Sequence, residues 1–356
     1  MSADKRAPFV IGAETVDPGE HRTVDLPISL LSDHTPMTMS VRVIHGRRPG
    51  PTAFVTAAVH GDEVNGVEVI RRLLRNQRLN RLRGTLLAVP IVNAYSFIGH
   101  SRYLPDRRDL NRCFPGSPYG SLGSQLAHLI MTELVDRSDF GIDLHSGAVH
   151  RPNLPQIRGD FSLPEIKELA RAFGAPVSLN APLRGSSLRE AAQKRDVPVI
   201  LYEASEALRF DEFSVRVGLR GILRVLEAQG MLAVRKSSAS SKSGAGGDVR
   251  HRSVFAENSR WVRSPVGGIL RNHTPLGTQV TSGQQIGVVS DPFGHDDIPV
   301  VADADGIVIG ALLLPVVNQG DALFHIATVG NHVDAAGTVE AHQDALAPID
   351  GEVELV

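Results

Sequence analysis

The chain has 356 residues, 42% of them hydrophobic, and a formal net charge of −2 at pH 7. These are ordinary values for a folded globular protein, long enough for one large domain and a smaller one. The balance lacks the basic footprint of a nucleic-acid binder, and no apolar run approaches the roughly 18 residues of a membrane span, so neither nucleic acid nor membrane is an expected partner.

In chain order, residues 23–45 read as two extended runs around a polar turn at Ser32 to Thr35, an antiparallel hairpin at a sheet edge. From Thr52 to about Gly230 short apolar runs alternate with helical patterns: TAFVTAA then VNGVEVIRRLLRNQ, GTLLAVPIV then QLAHLIMTELV, then DFGIDLH, PVSL and VPVILY. Strands alternating with helices predict an α/β domain around a mixed or parallel central sheet. Pro164 opens PEIKELARAF as a first-turn proline, Ser187 with Glu190 forms a capping box, and the last helix runs from about Asp211 to Gln229, stopping at Gly230.

This predicted domain covers 1–232. Residues 233–252, rich in Ser, Gly and basic side chains, read as a mobile linker that cannot bury enough surface to order itself. Residues 253–330, full of Val, Ile and Leu with frequent glycines, predict a smaller all-β module, and 331–356 an acidic solvated tail. The one cysteine, Cys113, cannot form an internal disulfide, and the N-terminal MSADKRAPFVIG has no secretory apolar stretch. A cytoplasmic protein is the expectation.

The chemistry gathers at strand ends. AAVHGDE runs a strand into His60 and places Glu63 at a helix start, while DFGIDLHSGA ends another strand at His145 beside small residues. Open α/β sheets carry their sites at such ends. Two histidines and a carboxylate make the three-ligand set of a catalytic zinc, although the same set serves non-haem iron. VPVILYEASEA ends a third strand at Glu203, where a carboxylate near a metal-activated water can shuttle a proton; Glu206 offers the same group but lies past the strand end. The loop SRYLPDRRDLNRCFPG supplies guanidinium groups, Arg102 and Arg112, for an oxyanion or a substrate carboxylate.

HGDE, DLNR, a later DLH and a strand-terminal Glu, in that order over roughly residues 50 to 230, resemble the succinylglutamate desuccinylase and aspartoacylase family, relatives of the zinc carboxypeptidases. The resemblance implies a carboxypeptidase-like α/β fold, one zinc per chain, and hydrolysis of an N-acyl bond on an amino acid. It implies His60, Glu63 and His145 as zinc ligands, Glu203 as general base and Arg102 as the oxyanion-polarising group. It also implies Asn111 and Arg112 as the carboxylate grip, and Asp109 as the carboxylate that orients a zinc-bound histidine. Arg158, in RPNLPQIR, is a further candidate for a second carboxylate or polar group of the substrate.

Isolated histidines such as His21, His128, His273 and His342 are by default structural. Asp62 and Asp143 read as turn and hydrogen-bonding residues, and Cys113 as a small packed side chain. The glycine and turn pattern after residue 264 resembles biotinyl and lipoyl carrier domains, but no lysine follows Lys242, so a lysine-borne cofactor is excluded. A lid, a substrate-shaping wall or a homo-oligomer contact is the expectation for that module. The leading functional reading is a deacylase acting on a small carboxylate-bearing amide. Its rivals are a zinc carboxypeptidase or deglutamylase trimming a peptide terminus, and a zinc-binding interaction protein without turnover.

Overall fold

The computed structural model describes residues 6–234, 253–329 and the isolated Gly337. Most of the expected linker at 233–252 and the expected acidic tail at 331–356 therefore lies outside the described residues. Two short strands, β1 (Phe9–Ile11) and β2 (Glu14–Val16), pair with each other ahead of the main sheet. The edge hairpin follows as β3 (His21–Leu30) and β4 (Pro36–His45), antiparallel, with Met37, Met39, Val41 and Val43 turned into the core on every second residue.

The α/β region then runs β5 (Arg48–Ala57), α1 (Asn65–Arg75), β6 (Arg83–Val89), α2 (Ala94–Ile98), α3 (Leu122–Glu133) and β7 (Phe140–Gly147). It continues with β8 (Asn153–Gly159), α4 (Pro164–Phe173), β9 (Val177–Asn180), α5 (Leu188–Gln193), β10 (Val199–Glu206) and α6 (Glu212–Ala228). Parallel β6, β5, β7 and β10 form the centre of the sheet, with β6, β7 and β10 buried along nearly their whole length and led by apolar residues, as strands covered on both faces are. Helices cover both faces. Val69, Ile70 and Leu73 of α1 pack with α4 and α6 on one side; Leu126, Ile130 and Met131 of α3 pack with Leu188 and Ala192 of α5 on the other.

Local signals place the helix ends. Pro164 sits in the first turn of α4 and Gly174 closes it in the left-handed region. At α5 the Ser187 hydroxyl accepts from the Glu190 N–H, but the Glu190 carboxylate accepts from the N–H of Ser186, one residue before the expected capping-box partner. Strand β8, running through Pro155, is a further addition to the sequence reading.

Every element from 254 to 328 is a strand: β11 (Val254–Ala256), β12 (Asn258–Arg263), β13 (Gly268–Asn272), β14 (Gln279–Val280), β15 (Gln285–Ser290), β16 (Asp297–Val301), β17 (Gly306–Ala311), β18 (Val316–Val317) and β19 (Ala322–Thr328). Four of them form a separate antiparallel sheet in the order β16-β15-β13-β18. The others extend the main sheet, whose order is β12-β19-β17-β8-β10-β7-β5-β6-β4-β3, while β11 lies parallel to β9. The fold is thus a mixed α/β sheet flanked by helices with an additional C-terminal antiparallel sheet. Among the described residues no helix is long and apolar enough to cross a membrane.

Candidate metal centre and substrate pocket

Three neighbouring parallel strands, β5, β7 and β10, bring the site together at their C-terminal ends. Past β5 the chain turns through Ala58, in the left-handed region at φ +52°, to His60 and Glu63. Gly61 makes the turn feasible: a Cβ there would lie 2.0 Å from the Ser96 carbonyl carbon, so no larger residue fits. Glu63 precedes α1 by two residues. In β7, His145 lies in register with Glu203 of β10, so imidazole and carboxylate project side by side from one face. The sequence reading ends this strand at Glu203, but β10 runs on to Glu206; beyond Glu203 the register against β8 shifts and Ser205 takes φ +62°, an irregularity of the kind that re-aims a side chain near a strand end.

His60, Glu63 and His145 are buried, and one ligand atom from each lies within 4.8 Å of the others. The Glu63 carboxylate spans the two rings, with Oε1 2.7 Å from His60 Nδ1 and Oε2 2.8 Å from His145 Nδ1. Each ring is anchored on its far side. Asp109 Oδ1 lies 3.0 Å from His60 Nε2, and Asp143 Oδ2 lies 2.8 Å from His145 Nε2, while Thr56 donates its hydroxyl to Asp143 Oδ1 at 2.7 Å. A carboxylate behind a ligating imidazole holds the proton on the distal nitrogen and frees the near one to bind metal. The resemblance implies Asp109 for such a place, and it stands behind His60; Asp143, the Asp of DLH read as a hydrogen-bonding residue, stands likewise behind His145.

The electrostatics ask for a cation. Burial alone would strip protons from both rings, but Glu63 and Asp109 hold His60 above its ordinary value, and Asp143 and Glu63 hold His145 well above it. Burial likewise opposes charge on Glu63 and Asp109, yet the facing imidazoles, with Arg102 beside Asp109, keep both carboxylates below their usual range. With the rings neutral, as ligation requires, Glu63, Asp109 and Asp143 have, among the described residues, Arg102 as their one ion-pairing arginine, an excess of negative charge that a divalent ion balances. The donor set and its charge therefore fit a metal.

Arg102 reaches the centre from the loop after α2, donating to Glu63 Oε1 at 3.2 Å and to Asp109 Oδ2 at 3.0 Å. Asn111 lies in the short turn Leu110–Arg112; its Oδ1 accepts from the Leu188 N–H at 2.9 Å, which leaves its amide N–H groups for the pocket. Arg112 is beside it, donating one N–H to the Asn111 carbonyl at 2.5 Å. Glu203 Oε1 accepts from Asn153 Nδ2 at 2.9 Å, and its Oε2 lies 3.2 Å from Arg158. Except for Asp109, which stands behind His60, all the residues singled out in the sequence line one cavity of about 930 Å³, ample for a small organic substrate.

The same cavity is lined by residues that sequence reasoning did not select: Arg184, Arg189, Glu257, Trp261 and His325. Arg189 is buried among positive neighbours; burial, then Arg158 and Arg184, lowers its pKa to about 10. His325 stacks on Trp261 with ring centroids 4.5 Å apart, and its Nε2 lies 2.8 Å from the Ser259 hydroxyl. Burial and the guanidinium charges of Arg158 and Arg184 push that imidazole down to about 3, so it is neutral. Trp261 is the one tryptophan in the chain, the only signal in the sequence that could have drawn attention to this wall.

Residues 49–229, just over half of the chain, match the model of the succinylglutamate desuccinylase/aspartoacylase catalytic domain. Over 321 residues the chain is 28% identical to the N-alpha-acetyl-L-2,4-diaminobutyric acid deacetylase of Halomonas elongata, covering 87% of this chain and 92% of the relative. The crystal structure of a succinylglutamate desuccinylase/aspartoacylase from Rhodobacter sphaeroides is similar with a TM-score of 0.74 at 26% identity, over 88% of this chain and 95% of that one. The product-bound ectoine utilization protein EutE (DoeB) of Ruegeria pomeroyi shares the fold with a TM-score of 0.74 at 23% identity, over 87% and 95% of the two chains.

Proposed function

The chain belongs to the succinylglutamate desuccinylase/aspartoacylase family, and from that premise we propose that it is a zinc-dependent deacylase, hydrolysing the amide bond of an N-acyl amino acid or a related small carboxylate-bearing amide. The observation that carries the reading is the buried His60, Glu63, His145 cluster, each imidazole backed by a carboxylate, beside Glu203 in one cavity with several arginines. A protein that only bound metal would need neither a carboxylate aligned with the centre nor the arginines. The deacetylase activity of the Halomonas relative supports amide hydrolysis as the reaction class.

His60, Glu63 and His145 would hold the zinc. The chemistry a zinc supplies when held there is Lewis acidity toward an amide carbonyl and toward an attacking water. Glu203, in register with His145, takes the proton from water at its carboxylate and returns it to the departing amine nitrogen. Arg102 donates its guanidinium N–H to the carbonyl oxygen as that oxygen gains charge. Asn111 and Arg112 grip a substrate carboxylate and set the amide in line. Arg158 contributes to a second polar group of the substrate from the Glu203 side of the cavity.

The test is elemental analysis of the purified chain followed by a screen for amine release. The panel comprises N-acetyl and N-succinyl amino acids, N-alpha-acetyl-L-2,4-diaminobutyric acid and short peptides. One zinc per chain is expected, with turnover of an N-acyl amino acid that falls about 10²- to 10⁴-fold in Glu203→Ala while the metal is retained. A chain that takes up no metal from ample zinc would sink the proposal, and preferential release of terminal residues from peptides would move it to a peptidase.

A further inference from the structure

The C-terminal strands reach the centre through Asn153. This residue is buried at the first position of β8, where it pairs in register with Ser205 of β10 on one side and with Gly310 of β17 on the other. Its side-chain amide donates to Glu203 Oε1 at 2.9 Å. Gly310 sits directly against that amide: a Cβ on residue 310 would lie 2.8 Å from Asn153 Oδ1 and 3.2 Å from the His325 Cβ. Flanking backbone bonds, Ala311 N–H to the Pro152 carbonyl at 3.3 Å and Leu313 N–H to the His150 carbonyl at 2.8 Å, clamp β17 to the start of β8.

We propose that Asn153 is a positioning residue for Glu203, and that β17, through the absent side chain of Gly310, sets the Asn153 amide and so couples the C-terminal strands to turnover. The inference rests on the reading of Glu203 as the proton shuttle. Glu203 is the last residue of β10 in regular register before the shift, so the strand beyond it offers the carboxylate no regular neighbour and Asn153 supplies a fixed one. A neutral amide fixes one oxygen without adding charge, while Arg158 meets the other. Asn153 has two neighbours of opposite kind: a carboxylate that needs its N–H, and a glycine that leaves room for its oxygen. Gly310 is not held in the left-handed region, so alanine there strains no backbone and acts first by crowding the Asn153 amide, with a second, looser contact on the His325 Cβ.

The experiment is a double-mutant cycle on the zinc-loaded full chain, with the panel substrate that turns over fastest as probe and Glu203→Gln as control. Asn153→Ala should lower kcat about 10- to 100-fold, the usual cost of losing a group that orients a reacting residue, with KM within about twofold. Asn153→Asp should lower kcat further by setting a second carboxylate against Glu203. Gly310→Ala should lower kcat about fivefold to tenfold in the native background and less than about twofold in Asn153→Ala, where only the contact on His325 remains, since a displaced amide and a missing one fail in the same way. Thermal melts of each variant identify any loss of fold.

Wild-type kcat in Asn153→Ala, additive losses in the double variant, or losses that track melting temperature alone would overturn the inference while Glu203→Gln stays inactive. An active Glu203→Gln, or a panel with no turnover, would remove the proposed function and this inference with it.

Discussion

In one part of the pocket lining His60, Glu63, His145 and Glu203 stand at or near the C-terminal ends of three neighbouring parallel strands; in another part Glu257, Trp261 and His325 stand on or beside strands from the last third of the chain. The metal-facing wall is dense with carboxylate–imidazole contacts, each side chain held on two sides. The C-terminal wall has an aromatic stack and a neutral imidazole whose Nδ1 has no hydrogen-bond partner among the described residues. Chemistry needs groups fixed to fractions of an ångström, while recognition can be carried by a wall with unspent hydrogen-bonding capacity.

The contrast between the walls predicts a graded series of losses. The largest is for His145→Ala, which removes one of the three proposed ligands and should abolish zinc uptake, read by elemental analysis, and turnover with it; full metal content in the variant would displace His145 from the centre. Next comes Asp143→Asn. Loss of the carboxylate behind His145 should weaken zinc binding about 10- to 100-fold in a competitive chelator titration, with the fold intact. An unchanged affinity would reduce Asp143 to a structural residue.

Arg112→Leu should act on binding alone, raising KM for carboxylate-bearing substrates about tenfold. Equal losses for substrates with and without the carboxylate would remove Arg112 from that grip. The smallest effect belongs to the C-terminal wall. His325 titrates near 3 in the fold against an ordinary value of 6.5, so as pH falls the unfolded chain binds this proton first. Its contribution is whole above about pH 6.5 and is lost progressively toward pH 3, at a limiting slope of about 1.4 kcal/mol per pH unit. His325→Gln should flatten the acid side of the stability curve in chemical denaturation; parallel curves for the two proteins would place His325 in contact with solvent.

Much of the first wall could be read from sequence because it is local. HGDE, DLH and the strand-terminal Glu each combine a strand end with a chemical group within a few residues, and strand ends converge in any open parallel sheet. DLNR placed Asp109, Asn111 and Arg112 together for the same reason, since one short turn carries all three. The second wall left no such trace. Trp261 and His325 are separated by more than sixty residues, meet only because β12 and β19 pair with Trp261 opposite His325, and obey no motif. Asn153 was equally silent, since its value depends on Glu203 and Gly310 arriving beside it from distant strands.

Alternation of strand and helix determined the fold class, and the motifs supplied the candidate residues of the metal-facing half of the site, because each is written in a short stretch of chain. The tertiary structure alone decided that C-terminal strands join the main sheet and that Trp261 and His325 line the same pocket as the metal-facing residues. Those outcomes depend on register and packing between segments far apart in the chain, and pairing across such distances is set by the whole buried core rather than by any local pattern.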